Sequence, residues 1–198
     1  MAAQIRCSLQ SVAKRAAREE WFVPQRIIER SSSDSGSRLE QVVLTRRVKQ
    51  GTVVARVFTS VDCLHLQPTW DSLQVGVKLF AKFGGPALKL NHSAAPNVRL
   101  SIAGPKESAL YPSCVEVIAR TDIEPGVALT FNYNTTEWEM AEPFQDWAAD
   151  DSPAGQVQGF RFLSADEKKR LLSEPGLVAQ HICELWAGVE SASAGSES

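Results

Sequence analysis

The feature that most constrains the fold is a succession of short β-branched and apolar runs, each stopped by a turn signal before it reaches helical length. Val42-Val43-Leu44 and Gly51-Thr52-Val53-Val54-Ala55-Arg56-Val57-Phe58 bracket a glycine turn. Further runs follow at Leu73-Gln74-Val75, Val98-Arg99-Leu100-Ser101-Ile102, Val115-Glu116-Val117-Ile118 and Ala128-Leu129-Thr130-Phe131. Runs of this length and composition read as strands, so the middle of the chain is expected to be a β-rich α+β body with few long helices.

Helical signals gather at the two ends. From about Ile5 to Glu20, Leu9, Val12, Ala13 and Ala16 share one face, with Lys14, Arg15 and Arg18 mostly opposite. A strand is expected from Trp21 to Ile28, closed by the polar loop Ser31-Ser32-Ser33-Asp34-Ser35-Gly36-Ser37. Near the other end, Ser164-Ala165-Asp166-Glu167 has capping-box spacing and starts a helix that Pro175-Gly176 ends. A second helix, about Leu177 to Trp186, lines up Val178, Ile182, Leu185 and Trp186 for docking, and Ser191 to Ser198 reads as a frayed tail.

The chain of 198 residues suits one well-cored domain with short extensions, and 43% hydrophobic content suits a soluble protein. Its 21 basic and 23 acidic residues nearly balance, which argues against direct nucleic-acid binding. Apolar runs fall far short of the roughly 20 residues needed to cross a bilayer, so no membrane partner is expected. The expectation is an intracellular, cytoplasmic or nuclear protein. The basic, acid-poor start also fits a mitochondrial presequence, against the simpler reading of a surface helix. Cys7, Cys63, Cys114 and Cys183 have no paired spacing and read as free thiols, and His65, His92 and His181 are too scattered for a local metal site.

Two segments carry the chemistry: Asn91-His92-Ser93-Ala94-Ala95-Pro96-Asn97 and Leu129-Thr130-Phe131-Asn132-Tyr133. They resemble the paired signatures of SET-domain methyltransferases, roughly N-H-S-C-x-P-N and G-E-E-L-T-x-D-Y. Thr45-Arg46-Arg47-Val48-Lys49-Gln50-Gly51-Thr52-Val53-Val54 looks like the family's A-T-R-D-I-x-x-G-E-V-I, and Ala119-Arg120-Thr121-Asp122-Ile123-Glu124-Pro125-Gly126 repeats the idea. Ser72-Leu73-Gln74-Val75-Gly76, Glu137-Trp138-Glu139-Met140-Ala141-Glu142-Pro143-Phe144 and Gly159-Phe160-Arg161-Phe162-Leu163-Ser164 match a small single-domain branch. Each segment is weak alone; their order makes the resemblance strong from about residue 36 to 172.

The resemblance implies a SET fold with a knot-like core, the cofactor S-adenosylmethionine, and a lysine side chain or small amine as methyl acceptor. It implies that Asn91 and His92 hold the cofactor and that the Tyr133 hydroxyl lies beside the transferring methyl. Methyl transfer is an in-line displacement, so alignment and electrostatics are the protein's main contribution, and a phenol that stays uncharged near neutral pH suits the task. The organisation that follows is an N-terminal helix, strand and loop over 1–35 and a SET-like domain over 36–144. A post-SET-like extension with C-terminal helices covers 145–188, and a flexible tail covers 189–198.

Three departures qualify the activity. Leu39-Glu40-Gln41 stand where the family has a G-x-G turn against the cofactor, and side chains there crowd an approach that glycine permits. The zinc ligand positions fall on Ala94, Asp146, Ala148 and Pro153, so no zinc is expected. Phe144, Trp147 or Phe160 are then candidates for a differently shaped lid, Phe160 on the cofactor side. Val127-Ala128 and Asn132 also replace the usual acids. The first reading is a SET-type methyltransferase. The alternatives are a SET-like enzyme repurposed for small-molecule, secondary-metabolite chemistry such as cyclisation, or an inactive binding module.

Overall fold

A computed structural model describes residues 18–31, 38–103, 113–146 and 155–194. The chain opens with strands β1 (Arg18–Trp21), β2 (Gln25–Ser31), β3 (Arg38–Leu44) and β4 (Val53–Thr59). Short strands β5 (Leu64–His65), β6 (Ser72–Gly76), β7 (Leu79–Lys82) and β8 (Asn91–His92) follow. Next come β9 (Val98–Ala103), β10 (Ser113–Ala119), β11 (Thr130–Phe131), β12 (Phe144–Gln145) and β13 (Gln156–Val157). Helices α1 (Ala165–Leu172) and α2 (Gln180–Ala194) complete a β-rich α+β fold.

The largest sheet runs β1-β4-β10-β9, antiparallel throughout. Its two faces follow from strand periodicity. Val57 opposite Val115 and Ala55 opposite Val117 are buried, while Arg56 opposite Glu116 forms a 2.7 Å ion pair toward solvent. The β2–β3 hairpin and the β5-β7-β6 sheet close on the same core, which gathers Val42, Leu44, Val54, Leu73, Leu100 and Leu129.

The two segments that share the A-T-R-like pattern lie side by side. Val48 and Ile123 exchange backbone hydrogen bonds at 3.0 Å, and Gly51 N–H reaches Ala119 C=O at 2.8 Å. Asp122 accepts from Lys49 Nζ and from the Gln50 amide, and these contacts pull its pKa down to about 2.

Four sequence expectations need correction. Arg18 to Glu20 are strand and not the end of a helix, because they pair with β4. The Glu19 carboxylate turns inward there to take hydrogen bonds from Trp21 Nε1 and the Ala87 amide. The remainder of that expected helix, with the presequence reading, lies outside the described residues. The strand expected from Trp21 to Ile28 is two strands, broken at Phe22-Val23-Pro24, where proline has no amide to offer a ladder. The second C-terminal helix starts later and runs longer than Leu177 to Trp186. Leu177, Val178 and Ala179 are used for packing, and Ala179 N–H bonds Thr135 C=O at 2.8 Å before the helix begins. Residues 189–194, expected as tail, continue that helix.

The capping box appears as expected: Ser164 Oγ accepts from the Glu167 amide and Glu167 Oε2 accepts from the Ser164 amide at 3.1 Å. Beyond it, Phe160, Leu171, Leu177, Val178 and Ile182 form a second apolar cluster. Phe160 is fully buried between Trp138 and Trp186, at centroid distances of 6.2 Å to each. Gly159 makes this approach possible: its φ is +113°, and a Cβ there would sit 2.6 Å from the Trp138 carbonyl oxygen. Among the described residues, no helix is long and apolar enough to cross a membrane, and no group of three or more His, Cys, Asp or Glu is arranged to hold a metal ion.

Candidate active site

The asparagine-histidine and tyrosine segments meet through a short parallel pairing, Thr130 with Asn91 and Phe131 with His92. Asn97 clamps the pair, accepting from the Thr130 amide at 2.9 Å and donating to Ala128 C=O at 2.7 Å. The Ser93 amide reaches Phe131 C=O at 3.0 Å. This latch fixes where the chain turns into Tyr133.

Tyr133 is held at both ends. Its amide donates to His92 Nδ1 at 3.1 Å, and its phenol donates to Leu90 C=O at 2.8 Å. Burial, aided by the nearby Glu137 carboxyl, pushes the phenol pKa well above its ordinary value, so the hydroxyl stays neutral. Because His92 Nδ1 accepts, a neutral His92 carries its proton on Nε2, which lies 3.6 Å from Asp146 Oδ2. Burial lowers the His92 pKa against the pull of Asp146, so the contact is between a neutral imidazole and a carboxylate, too long for a hydrogen bond.

Asn91 Nδ2 bridges Glu40 C=O at 2.8 Å and Lys89 C=O at 3.2 Å. The structure therefore brings Glu40 to the asparagine-histidine segment, as strand and not as a glycine-like turn. Leu39, Glu40 and Gln41 pair with Arg30, Glu29 and Ile28 across the hairpin. Glu40 Oε2 also pairs with Lys89 Nζ at 2.5 Å.

A cavity of about 240 Å³ opens beside Tyr133. Leu73, Phe83, Leu90, Phe131 and Phe144 supply much of its wall. Phe144 meets His92 and Tyr133 edge-on at 6.0 and 5.9 Å, and the β12–β13 pairing fixes the segment that carries it. Phe160, by contrast, sits in the second apolar cluster and is not part of this wall. Trp147 lies outside the described residues.

Glu137 is the lining residue that the sequence did not single out. It is buried, its Oε1 accepts the Gln74 amide at 2.9 Å, and burial pushes its pKa up to about 8 against that hydrogen bond. Gln74 completes the arrangement by accepting from the Trp138 amide at 2.8 Å. Glutamate between Thr136 and Trp138 has no periodic signature, because its burial depends on a strand more than sixty residues earlier.

No protein-family profile matches the chain. Methyltransferase flvH of Aspergillus flavus is 25% identical over 140 residues, covering 70% of this chain and 69% of the relative. KRYPTONITE in complex with mCHG DNA and SAH aligns at a TM-score of 0.50 and 14% identity, over 69% of this chain and 29% of that one. Its complex with mCHH DNA, an H3(1-15) peptide and SAH gives the same TM-score at 13% identity. DIM-5, a Neurospora SET domain protein and histone lysine methyltransferase, gives 0.40 at 22% identity, over 62% of this chain and 56% of that one. This chain thus spans less than a third of KRYPTONITE.

Proposed function

We propose that this chain, whose fold is that of the SET domain, is an S-adenosylmethionine-dependent methyltransferase that methylates an amine, either a lysine side chain or a small metabolite. The observation that carries the reading is the junction at Tyr133, where the asparagine-histidine strand, the tyrosine segment and an apolar cavity meet. The flvH relative is a methyltransferase, and KRYPTONITE was crystallised with SAH, which supports the same chemistry here.

The residues fit such a cofactor. Asn91 Nδ2 is engaged with two backbone carbonyls, while Asn91 Oδ1 has no hydrogen bond among the described residues and can accept from the cofactor's amino group. Asn91, His92 and the backbone of β3 at Leu39, Glu40 and Gln41 would hold the cofactor. When bound, S-adenosylmethionine supplies an electrophilic methyl. Tyr133 keeps its phenol proton on Leu90 C=O, which leaves the oxygen's lone pairs to orient an incoming amine without adding charge. Phe131 and Phe144 exclude water that would compete for the amine.

A second reading is favoured by one observation. Side chains stand along β3 where the resembling family has bare backbone, and Glu40 is tied to Lys89. That arrangement suits a SET-like enzyme doing small-molecule chemistry without methyl transfer. Titration calorimetry with S-adenosylmethionine separates the two. Saturable binding that Asn91→Ala abolishes is the expected result; no heat at millimolar cofactor refutes the methyltransferase reading and leaves the second.

A further inference from the structure

The cavity beside Tyr133 has a charge pattern of its own. Three acids line it, Asp71, Glu137 and Glu142, and among the described residues no lysine, arginine or histidine does. The three acids are not equivalent. Asp71 is already matched by Lys82 Nζ at 2.9 Å and by the Thr69 hydroxyl at 2.8 Å. Glu142 is exposed and can be screened by water. Glu137 is buried and uses only Oε1, on the Gln74 amide; its other oxygen has no hydrogen bond among the described residues.

A buried carboxyl with one spare oxygen in an apolar, aromatic-lined cavity is half of a pair. Leaving a carboxylate there without a cation is unfavourable, whereas a cation that enters is attracted by the carboxylate and by the faces of the surrounding rings. We propose that Glu137 is the recognition residue for a primary alkylammonium group, which it pairs with through its free oxygen while Phe83, Phe131, Tyr133 and Phe144 enclose the alkyl chain. Glu137 then brings the ammonium to the face of the cavity formed by Tyr133 and sets a preference for cations over neutral ligands of the same shape. The ammonium proton passes to the Glu137 carboxylate before the nitrogen lone pair is free to accept a methyl.

The proposal rests on the amine-methylating reading for its place in a reaction, but binding of the amine needs no cofactor and is read separately. n-Butylammonium and 1-butanol are titrated into the full chain at about pH 9, where Glu137, with its pKa of about 8, is mostly ionised and the amine is still charged, with binding followed by nuclear magnetic resonance shifts. The wild type is expected to prefer the ammonium by about tenfold or more, and Glu137→Gln to bring the two within about twofold. Gln keeps the acceptor for the Gln74 amide, so a purely structural Glu137 would leave the preference unchanged in the variant. That result overturns the proposal, as does equal affinity for the two probes in the wild type, which decides the matter even if the variant does not fold. A third probe, the blocked peptide acetyl-Gly-Gly-Lys-Gly-Gly-amide, separates the sources: tighter binding than butylammonium points to a protein lysine, and weaker binding to a free amine. Failure of amine binding leaves the calorimetric test with S-adenosylmethionine standing, and the reverse also holds.

Discussion

Glu137 also makes stability depend on pH in a window where few other groups interfere. Its folded pKa, about 8, lies above the ordinary 4.5, so the folded state holds the proton more tightly than the unfolded chain does. The stability linked to that proton is fully present below the unfolded value and is lost as pH rises through about 8. Each pH unit in between removes up to about 1.4 kcal/mol, hence about 2 kcal/mol from pH 6.5 to 8. Other groups affect that interval less. His92 and His181 are lowered from 6.5 and change stability as pH falls below it. Tyr133 is raised from 10.0, and Asp71, held by Lys82, is lowered from 3.8. The half-buried Glu19, whose pKa burial raises, is common to wild type and variant, so it cancels in the difference. Urea unfolding at several pH values should give a wild type that weakens by about 2 kcal/mol across the window and a Glu137→Gln variant that stays nearly flat. Parallel pH curves for the two proteins would refute the buried, proton-holding carboxyl.

Tyr133→Phe removes the hydrogen bond to Leu90 C=O and should cost about 1 kcal/mol in urea unfolding, while methyl transfer slows greatly and cofactor affinity measured by calorimetry holds. Phe160→Ala empties a fully buried site and should cost about 3–5 kcal/mol by the same unfolding assay. Gly159→Ala forces a Cβ against the Trp138 backbone at positive φ, so thermal melting should show a loss comparable to that of Phe160→Ala. Ser164→Ala breaks the capping box and should cost about 1 kcal/mol in thermal melting, with no change in cofactor binding.

What could be read from the sequence was what local chemistry decides. Ser164 and Glu167 announce a helix start because both partners of the capping box lie within one turn. Val98 to Ile102 and Val115 to Ile118 announce strands because β-branched residues in alternation fit a pleated surface. What failed depends on distant partners. Arg18 to Glu20 carry a helix-compatible composition, yet β4 recruits them as its edge neighbour. Leu39 to Gln41 become strand because β2 pairs with them across the hairpin. The resemblance marked Asn91, His92 and Tyr133, and those three do lie together. Glu137 belongs to a segment that matches the small single-domain branch, but nothing local says that a glutamate beside Trp138 will be buried.

The segment that follows Tyr133 explains how the C-terminal cluster bears on the cavity. Residues 134–140 are gripped on one side by β6, through Gln74, and on the other by the C-terminal part of the chain. Glu137 C=O accepts from the Phe160 amide at 2.8 Å, and Asn134 Oδ1 from the Gly159 amide at 3.0 Å. Thr135 C=O accepts from Ala179, and Thr136 C=O meets His181 Nε2 at 2.9 Å. These grips come from the backbone of Gly159, Phe160 and Ala179 and from the His181 ring, all within or beside the second apolar cluster. The packing of Phe160 between Trp138 and Trp186 therefore does for residues 134–140 what a rigid cross-link would do: it fixes the carboxyl of Glu137 and the backbone that leads out of Tyr133. Apolar burial can supply that rigidity in the folded state, but it does so cooperatively. Loosening Phe160 should thus blur the cavity before the main sheet unfolds, and Phe160, although it is not in the cavity wall, is a positioning residue for the site.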